Sequence, residues 1–210
     1  MPWLKSFRII CCICSLQMFG QPAQSQNIDI DLLKSINPQY PDSWFWKTAS
    51  SSYVIVSGTI SLGSLAYSLI ENDRALRYKS YELLGAIGIN IIATEGLKRI
   101  FNRTRPYDKY PNDVFVLTNS RGYSFPSGHT SLAFATATTI SLTYKKWYII
   151  VPAYLWAGSV GYSRMYLGRH YPSDVLGGAV VGAGSSVLAH WLSRKLFEPK
   201  PVNANQSNVL

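Results

Sequence analysis

The pattern of apolar and polar positions predicts a mostly helical chain that enters an apolar environment several times. Five apolar segments follow one another, separated by short polar stretches. Several are close to the lower limit of about 17 residues that a helix needs to span a bilayer. We therefore expect an all-α, membrane-embedded helical bundle of about five to six helices. Small residues are frequent in these segments and would also suit a soluble helical bundle. The segments are Tyr53–Ile70, Tyr81–Leu97, Thr130–Tyr144, Trp147–Tyr162 and Asp174–Phe197.

The first 25 residues have the pattern of a secretory signal peptide. Lys5 and Arg8 precede an apolar stretch from Ile9 to Phe19, and Ala23-Gln24-Ser25 provides small residues for cleavage before Gln26. An uncleaved first membrane helix is the alternative, although the apolar stretch is short for a span.

Residues 26–52 predict an amphipathic N-terminal segment on the outer side of the membrane. Apolar residues from Ile30 to Ile36 alternate with acidic and basic ones, and Pro38 and Pro41 end any helix there. The tryptophans that follow, Trp44 and Trp46, are typical of a membrane interface, although a loop with two buried tryptophans would fit equally well. We expect residues 53–197 to form the functional domain and 198–210 a disordered tail.

Charge narrows the choice of partner. Only 15% of residues are charged, below the usual 25% or so of soluble domains, and the net charge is +9. The basic residues form no run or helical stripe, so we expect no nucleic-acid partner. Alternate loops are basic, as the positive-inside rule requires for a multi-pass protein of a bacterial inner membrane. The loop 98–129 on the outer side is also basic, and a phosphate-bearing substrate would explain this exception.

Three clusters of chemically capable residues lie on that outer side. Arg105 is followed by Pro106, which favours extended backbone and ends a helix near the guanidinium. A second cluster surrounds Gly128, where a helix start offers unpaired amides to an anion. The third places an aspartate four residues after a histidine, close enough to orient the ring. In full, the candidates are Lys98, Arg105, Ser127, Gly128, His129, Arg164, His170 and Asp174.

In order and spacing these residues resemble the signature of the type-2 phosphatidic acid phosphatase superfamily, over residues ~92–185. The resemblance implies a bundle with its active site at the periplasmic face and a mechanism without metal or cofactor. It implies that His170 attacks phosphorus, that Asp174 orients it, and that His129 protonates the leaving oxygen and then activates water. The phosphate-binding groups it implies are Lys98, Arg105, Arg164 and the amides of Ser127 and Gly128.

The resemblance leaves alternatives open. The superfamily includes soluble periplasmic acid phosphatases, against which the apolar segments argue, and vanadate-dependent haloperoxidases with the same site residues. A catalytically inactive protein that binds anionic lipids is a further possibility. The expected substrate is a phosphorylated lipid in the bilayer: undecaprenyl pyrophosphate, phosphatidylglycerol phosphate, phosphatidate or lipid A. The loop 107–122 is expected to shape the choice of head group.

Overall fold

A computed structural model describes residues 22–197, and in this range all regular secondary structure is α-helical. The predicted signal peptide falls outside the described residues except for its last four, and the predicted tail 198–210 lies outside them entirely. The helices are α1 (Pro22–Ile36), α2 (Trp44–Ile70), α3 (Arg74–Phe101), the single turn α4 (Pro106–Lys109), α5 (Gly128–Tyr144), α6 (Trp147–Tyr166) and α7 (Pro172–Phe197).

Each of the five predicted apolar segments is a helix, which confirms the all-α bundle, but α2 and α3 begin earlier than hydropathy suggests. Helix α2 begins at Trp44, where the side chain of Ser43 caps the amide of Trp46. The hydroxyls of Ser51 and Ser52 then bond to carbonyls of their own helix. Serine hydroxyls that bond to carbonyls of their own helix can be accommodated there, but they add no apolar residues to the pattern. The hydrophobic pattern alone therefore places the start of α2 too late.

The two ends of the bundle differ in the length of the connections they carry. At one end, a tight turn joins α2 to α3 and Lys145-Lys146 joins α5 to α6. At the other end lie the start of α2, the end of α3, the start of α5, the end of α6 and the start of α7. This second end also carries the long connection 102–127, and all the predicted site residues lie there.

Helix α5 is the centre of the bundle and contacts α2, α3, α6 and α7. Its buried face consists of alanine, serine and threonine, which let neighbouring backbones approach. Hydroxyl groups then join the helices: Thr136 donates to Ser57 of α2 at 2.8 Å, and Thr139 donates to Ser186 of α7 at 3.0 Å. Small residues and interhelical hydrogen bonds are how helices associate in lipid.

Many of the large apolar side chains point outwards. Ile55 and Leu62 on α2, Ile92 on α3 and Leu155 on α6 are all more than 60% exposed. Helices α2 and α7 are each long and apolar enough to cross a membrane by length and composition. A surface of exposed leucine and isoleucine around a core of small residues suits a bundle surrounded by lipid.

The Gly178-x-x-x-Gly182 spacing serves the packing of α7 on α5 within the chain. A Cβ at Gly182 would lie 2.1 Å from the carbonyl oxygen of Ser131, and one at Gly178 would lie 2.6 Å from that of Ser127. Both neighbours are backbone atoms, which cannot rotate away. Only glycine allows α7 to lie this close to α5, and this contact holds the start of α7 at the site.

We expect Gly182→Ala to lower the stability of the folded protein by about 1–3 kcal/mol, because the added methyl forces α7 away from α5. Thermal unfolding in detergent measures the effect. Gly184→Ala is the matched control on the same helix, since a Cβ there meets nothing within 4 Å. Equal melting temperatures for the two variants would contradict the close approach of α5 and α7.

Candidate active site

A cavity of about 400 Å³ opens at the end of the bundle where α3 ends and α5 begins. It gathers six of the eight predicted site residues from four separate parts of the chain. The other two, Ser127 and Asp174, lie behind its wall and are fully buried. The six residues at the cavity are Lys98, Arg105, Gly128, His129, Arg164 and His170.

Arg105 is fixed in the cavity by backbone carbonyl groups. Its Nε donates to the carbonyl of Gly122 at 3.0 Å, and its terminal nitrogens donate to those of Arg169 at 3.0 Å and Arg121 at 3.3 Å. The backbone of Arg105 is extended and Pro106 opens the single turn α4, as the Arg-Pro pair predicts. The guanidinium is therefore held in place before any substrate arrives.

Two more cations reach the cavity from α3 and α6. Arg164 is only 1% exposed; one of its terminal nitrogens donates to the hydroxyl of Ser50 at 2.6 Å, while its buried Nε has no hydrogen-bond partner. Lys98 lies 3.1 Å from Glu95 and faces Gly128, where an added Cβ would lie 3.7 Å from the ammonium nitrogen. A buried guanidinium with an unused donor suits an anion in the cavity.

The start of α5 places His129 at the cavity wall. Its ring stacks on Tyr53 of α2 with the ring centroids 3.9 Å apart. The Ser127 amide, expected to bind phosphate, instead donates to the carbonyl of Asp174 at 3.0 Å. The first-turn amides from Gly128 onwards, which have no partner within the helix, are the donors that α5 can offer to an anion.

A sharp turn between α6 and α7 presents His170. Gly168 adopts a positive φ of 66°, and a Cβ there would lie 2.3 Å from the carbonyl oxygen of Phe115. Only glycine fits, so the turn is anchored against the 102–127 connection. The next residues place His170 in the wall, 2% exposed.

The two ring nitrogens of His170 have different neighbours. Nε2 lies 3.3 Å from a terminal nitrogen of Arg105, at the cavity, while Nδ1 lies 3.5 Å from a carboxylate oxygen of Asp174. The second distance is too long for a hydrogen bond, so the contact is electrostatic in this state. Burial lowers the pKa of His170 to about 4, against the opposing effect of Asp174. The imidazole is therefore neutral at neutral pH, with Nε2 facing the cations.

Asp174 itself is held by three other donors. Arg103 donates to one carboxylate oxygen at 2.7 Å, and the hydroxyl of Ser124 and the amide of Tyr171 donate to the other. None of these contacts was predicted from the sequence, since they join residues up to 71 positions apart. The carboxylate has one orientation, directed at the nucleophile candidate.

Comparison with known proteins agrees with this geometry. Residues 80–198, more than half of the chain, match the PAP2 superfamily. This chain belongs to the PAP2 superfamily. It is a PAP2-type phosphatase, a hydrolase of phosphoric esters, and a membrane protein.

Individual relatives share the fold along most of the chain. This chain is 27% identical over 179 residues to lipid A 4'-phosphatase of Bacteroides thetaiotaomicron, and the alignment covers 81% of this chain and 79% of the relative. The crystal structure of Aquifex aeolicus LpxE is 28% identical with a TM-score of 0.64, over 78% of this chain and 95% of that one. A transmembrane PAP2-type phosphatidylglycerolphosphate phosphatase from Bacillus subtilis has the same fold, with a TM-score of 0.66 at 22% identity over 92% of this chain and 98% of that one.

Several side chains of this PAP2 site carry no signal in the sequence. Ser50 comes from the polar start of α2, which hydropathy assigned to a loop or an interface, and Tyr53 is the first residue of the predicted apolar segment, where nothing marks it as a site residue. Arg103 lies among several basic residues of one loop, and nothing in its spacing separates it from its neighbours. Their positions become clear only when the helices are assembled.

Proposed function

We propose that this PAP2 phosphatase removes phosphate from the head group of a lipid at the periplasmic face of a bacterial inner membrane, through a phosphohistidine on His170. The observation that carries the proposal is the composition of the cavity wall. One part is cationic, and another is formed by Val54 and Ile91, which are themselves more than half exposed on the outside of the bundle. A substrate with a phosphate at one end and an apolar body matches both parts.

The apolar side of the cavity lies between α2 and α3, with Leu132 of α5 behind it. These residues belong to the helical surface that suits contact with lipid. A lipid held here keeps its tail against the helices while its head group reaches the cations. A small soluble phosphate ester would leave the apolar wall in contact with water, which weakens its binding.

In the first step, the Nε2 lone pair of His170 attacks phosphorus and the bond to the lipid oxygen breaks. His129 in its protonated form donates a proton to that leaving oxygen and becomes neutral; burial lowers the pKa of His129 in the empty cavity, and the negative charge of the bound phosphate favours the protonated form. Negative charge on the transferring phosphoryl oxygens is stabilised by Lys98, Arg105 and Arg164, which is the main catalytic requirement of phosphoryl transfer. Asp174 stabilises the positive charge that develops on the His170 ring.

In the second step, water replaces the lipid at the same site. His129 accepts a proton from the water as its oxygen attacks phosphorus, and the bond from phosphorus to Nε2 breaks. Inorganic phosphate leaves and His170 is restored. The stacking of His129 on Tyr53 holds the ring in one place for both proton transfers.

The charges at the two ends of the bundle support the proposed orientation. The end opposite the cavity carries Lys145 and Lys146, with Arg194 and Lys195 in the last turn of α7. Positive residues in short loops mark the cytoplasmic side. The cavity then faces the periplasm.

Among lipids, we propose a phosphate ester of lipid A as the preferred substrate. The alignment with the Bacteroides lipid A 4'-phosphatase supports this choice because it extends over 81% of the chain and so takes in the 102–127 connection. That connection supplies Ser120 and Arg121 to the mouth of the cavity. Residues at the mouth are placed to contact the head group beyond its phosphate.

The test is phosphate release in detergent with EDTA present, from lipid A, undecaprenyl pyrophosphate, phosphatidylglycerol phosphate, phosphatidate and a soluble phosphomonoester. We expect the highest kcat/KM with lipid A. We further expect Ile91→Ala to lower kcat/KM for the lipid by about 5-fold, from roughly 1 kcal/mol of lost apolar contact, and to leave the soluble ester unaffected.

Ile92→Ala is the matched control, because Ile92 is the next residue of α3 and faces away from the cavity at 76% exposure. It should leave both substrates unchanged. A higher kcat/KM with another lipid would overturn the choice of lipid A. Equal rates with all the lipids and the soluble ester, or the same loss in both isoleucine variants, would overturn the apolar wall as a lipid site.

A further inference from the structure

Helix α1 is docked against the active-site end of the bundle. Ile30 and Leu33 are buried in an apolar cluster with Tyr107, Val114 and Tyr171. The amphipathic pattern predicted this helix, and the structure shows what its apolar face covers. That face packs on the loop that follows α3 and on the residue directly after His170.

The side-chain amide of Asn37 binds the end of α1 to the rest of the bundle by hydrogen bonds. Asn37 donates to the carbonyls of Phe115 at 3.0 Å and Tyr166 at 2.8 Å, and it accepts from the amide of Phe115 at 2.8 Å. Asn37 is 7% exposed, so these bonds are shielded from water. The helix therefore has a defined position relative to the end of α6 and the start of α7.

From this docked helix, Asp29 reaches the start of α7. One carboxylate oxygen accepts from the amide of Ser173 at 2.9 Å, and the other accepts from the Ser173 hydroxyl and, at 2.6 Å, from Arg103. The second terminal nitrogen of Arg103 donates to Asp174 at 2.7 Å and to the Ser173 hydroxyl at 2.6 Å. The guanidinium also lies 4.0 Å from the ring centre of Tyr171. A planar guanidinium thus joins two carboxylates that belong to different helices, an arrangement we call the Asp29–Arg103 bridge.

The bridge is separate from the substrate cavity. Neither Asp29 nor Arg103 lines the cavity that holds His129 and His170. Asp29 is 8% exposed and Asp174 is fully buried, so the charges act on one another with little screening by water. The bridge reaches His170 from outside the cavity, most directly through the Asp174 carboxylate that Arg103 holds.

We propose that Asp29 and Arg103 are positioning residues for the phosphoryl-transfer reaction, and that α1 is thereby part of the catalytic centre. The bridge fixes the Asp174 carboxylate, which lies 3.5 Å from Nδ1 of His170 and so favours the ring orientation that directs Nε2 into the cavity. Arginine is required because its two terminal nitrogens bind the two carboxylates at once, which an ammonium group cannot do in the same geometry. This inference rests on the proposed role of His170 as nucleophile.

The experiment compares kcat and KM for the preferred lipid in the full chain and in Asp29→Asn and Arg103→Lys. We expect each variant to lower kcat by about 10- to 100-fold, the range typical of residues that orient a reactive group without contacting the substrate. KM should stay within about twofold, since neither residue faces the substrate. The double variant should lose no more than the worse single one, because both changes break one bridge.

Lys34→Gln is the matched control: it removes the ion pair of α1 with Asp113, 3.0 Å long, and touches nothing that reaches Asp174. It should leave kcat unchanged. If Asp29→Asn does not fold, Ser173→Ala removes a single hydroxyl of the same network, with a smaller fall in kcat expected.

Unchanged kcat in Asp29→Asn, or in Ser173→Ala where that variant replaces it, would overturn the bridge as a positioning device, and so would equal losses in Lys34→Gln. An inactive wild-type protein would instead contradict the proposed function.

Discussion

Replacing His170 by alanine is expected to lower kcat by at least about 10⁴-fold, because it removes the atom that we propose forms the covalent intermediate. Nε2 is the ring nitrogen at the cavity, beside Arg105, and the low pKa of the ring keeps it unprotonated at neutral pH. The other two histidines are placed differently, since the ring of His129 stacks on Tyr53 and His190 pairs with Glu82. Phosphate release from the preferred lipid measures the loss.

A second measurement identifies the step. Wild-type protein quenched during turnover of radiolabelled substrate should carry label that acid removes and alkali does not, and His170→Ala should carry none. His190→Ala is the control, because His190 on α7 pairs with Glu82 on α3, away from the cavity. Label retained in His170→Ala, or lost in His190→Ala, would overturn the assignment of the nucleophile.

Replacing Arg164 by lysine is expected to lower kcat/KM by about 10²- to 10³-fold, although the charge is conserved. Arg164 is anchored by Ser50 and keeps a buried Nε with no partner, so its donors are arranged for an anion. An ammonium group offers no paired, planar donors, and the loss of one fixed donor to a developing charge has about this cost.

Arg99→Lys provides the comparison for Arg164→Lys. Arg99 lies next to Lys98 at the end of α3 but is exposed on the outside of the helix. The same chemical change there should leave kcat/KM within about twofold. A loss in Arg164→Lys no larger than that in Arg99→Lys would show that the guanidinium does not bind the transferring phosphate.

The sequence predicted those parts of the fold and site that depend on local pattern. Long apolar segments specify helices whatever their partners, and the Arg105-Pro106 pair and Gly128 specify local backbone. The resemblance then supplied residue types in order, and six of them meet in one cavity.

Contacts between distant segments could not be predicted in this way. Asp29 and Ser173 are separated by 144 positions, and a charged residue in an amphipathic helix is ordinarily solvated. The family resemblance implied that the amide of Ser127 binds phosphate. It instead joins the backbone of Asp174, a contact that depends on how closely α7 approaches α5. Contacts of this kind depend on how the helices pack against one another, which cannot be read from a single sequence.

The cations that we propose to bind the phosphoryl group of a lipid would bind inorganic phosphate, the product, by the same contacts. Arg105 is held by three carbonyls and does not need the lipid to be in place. The product of the reaction is therefore also its competitor. We expect turnover to fall as free phosphate accumulates at the cavity, because phosphate then occupies the cations that the next lipid needs.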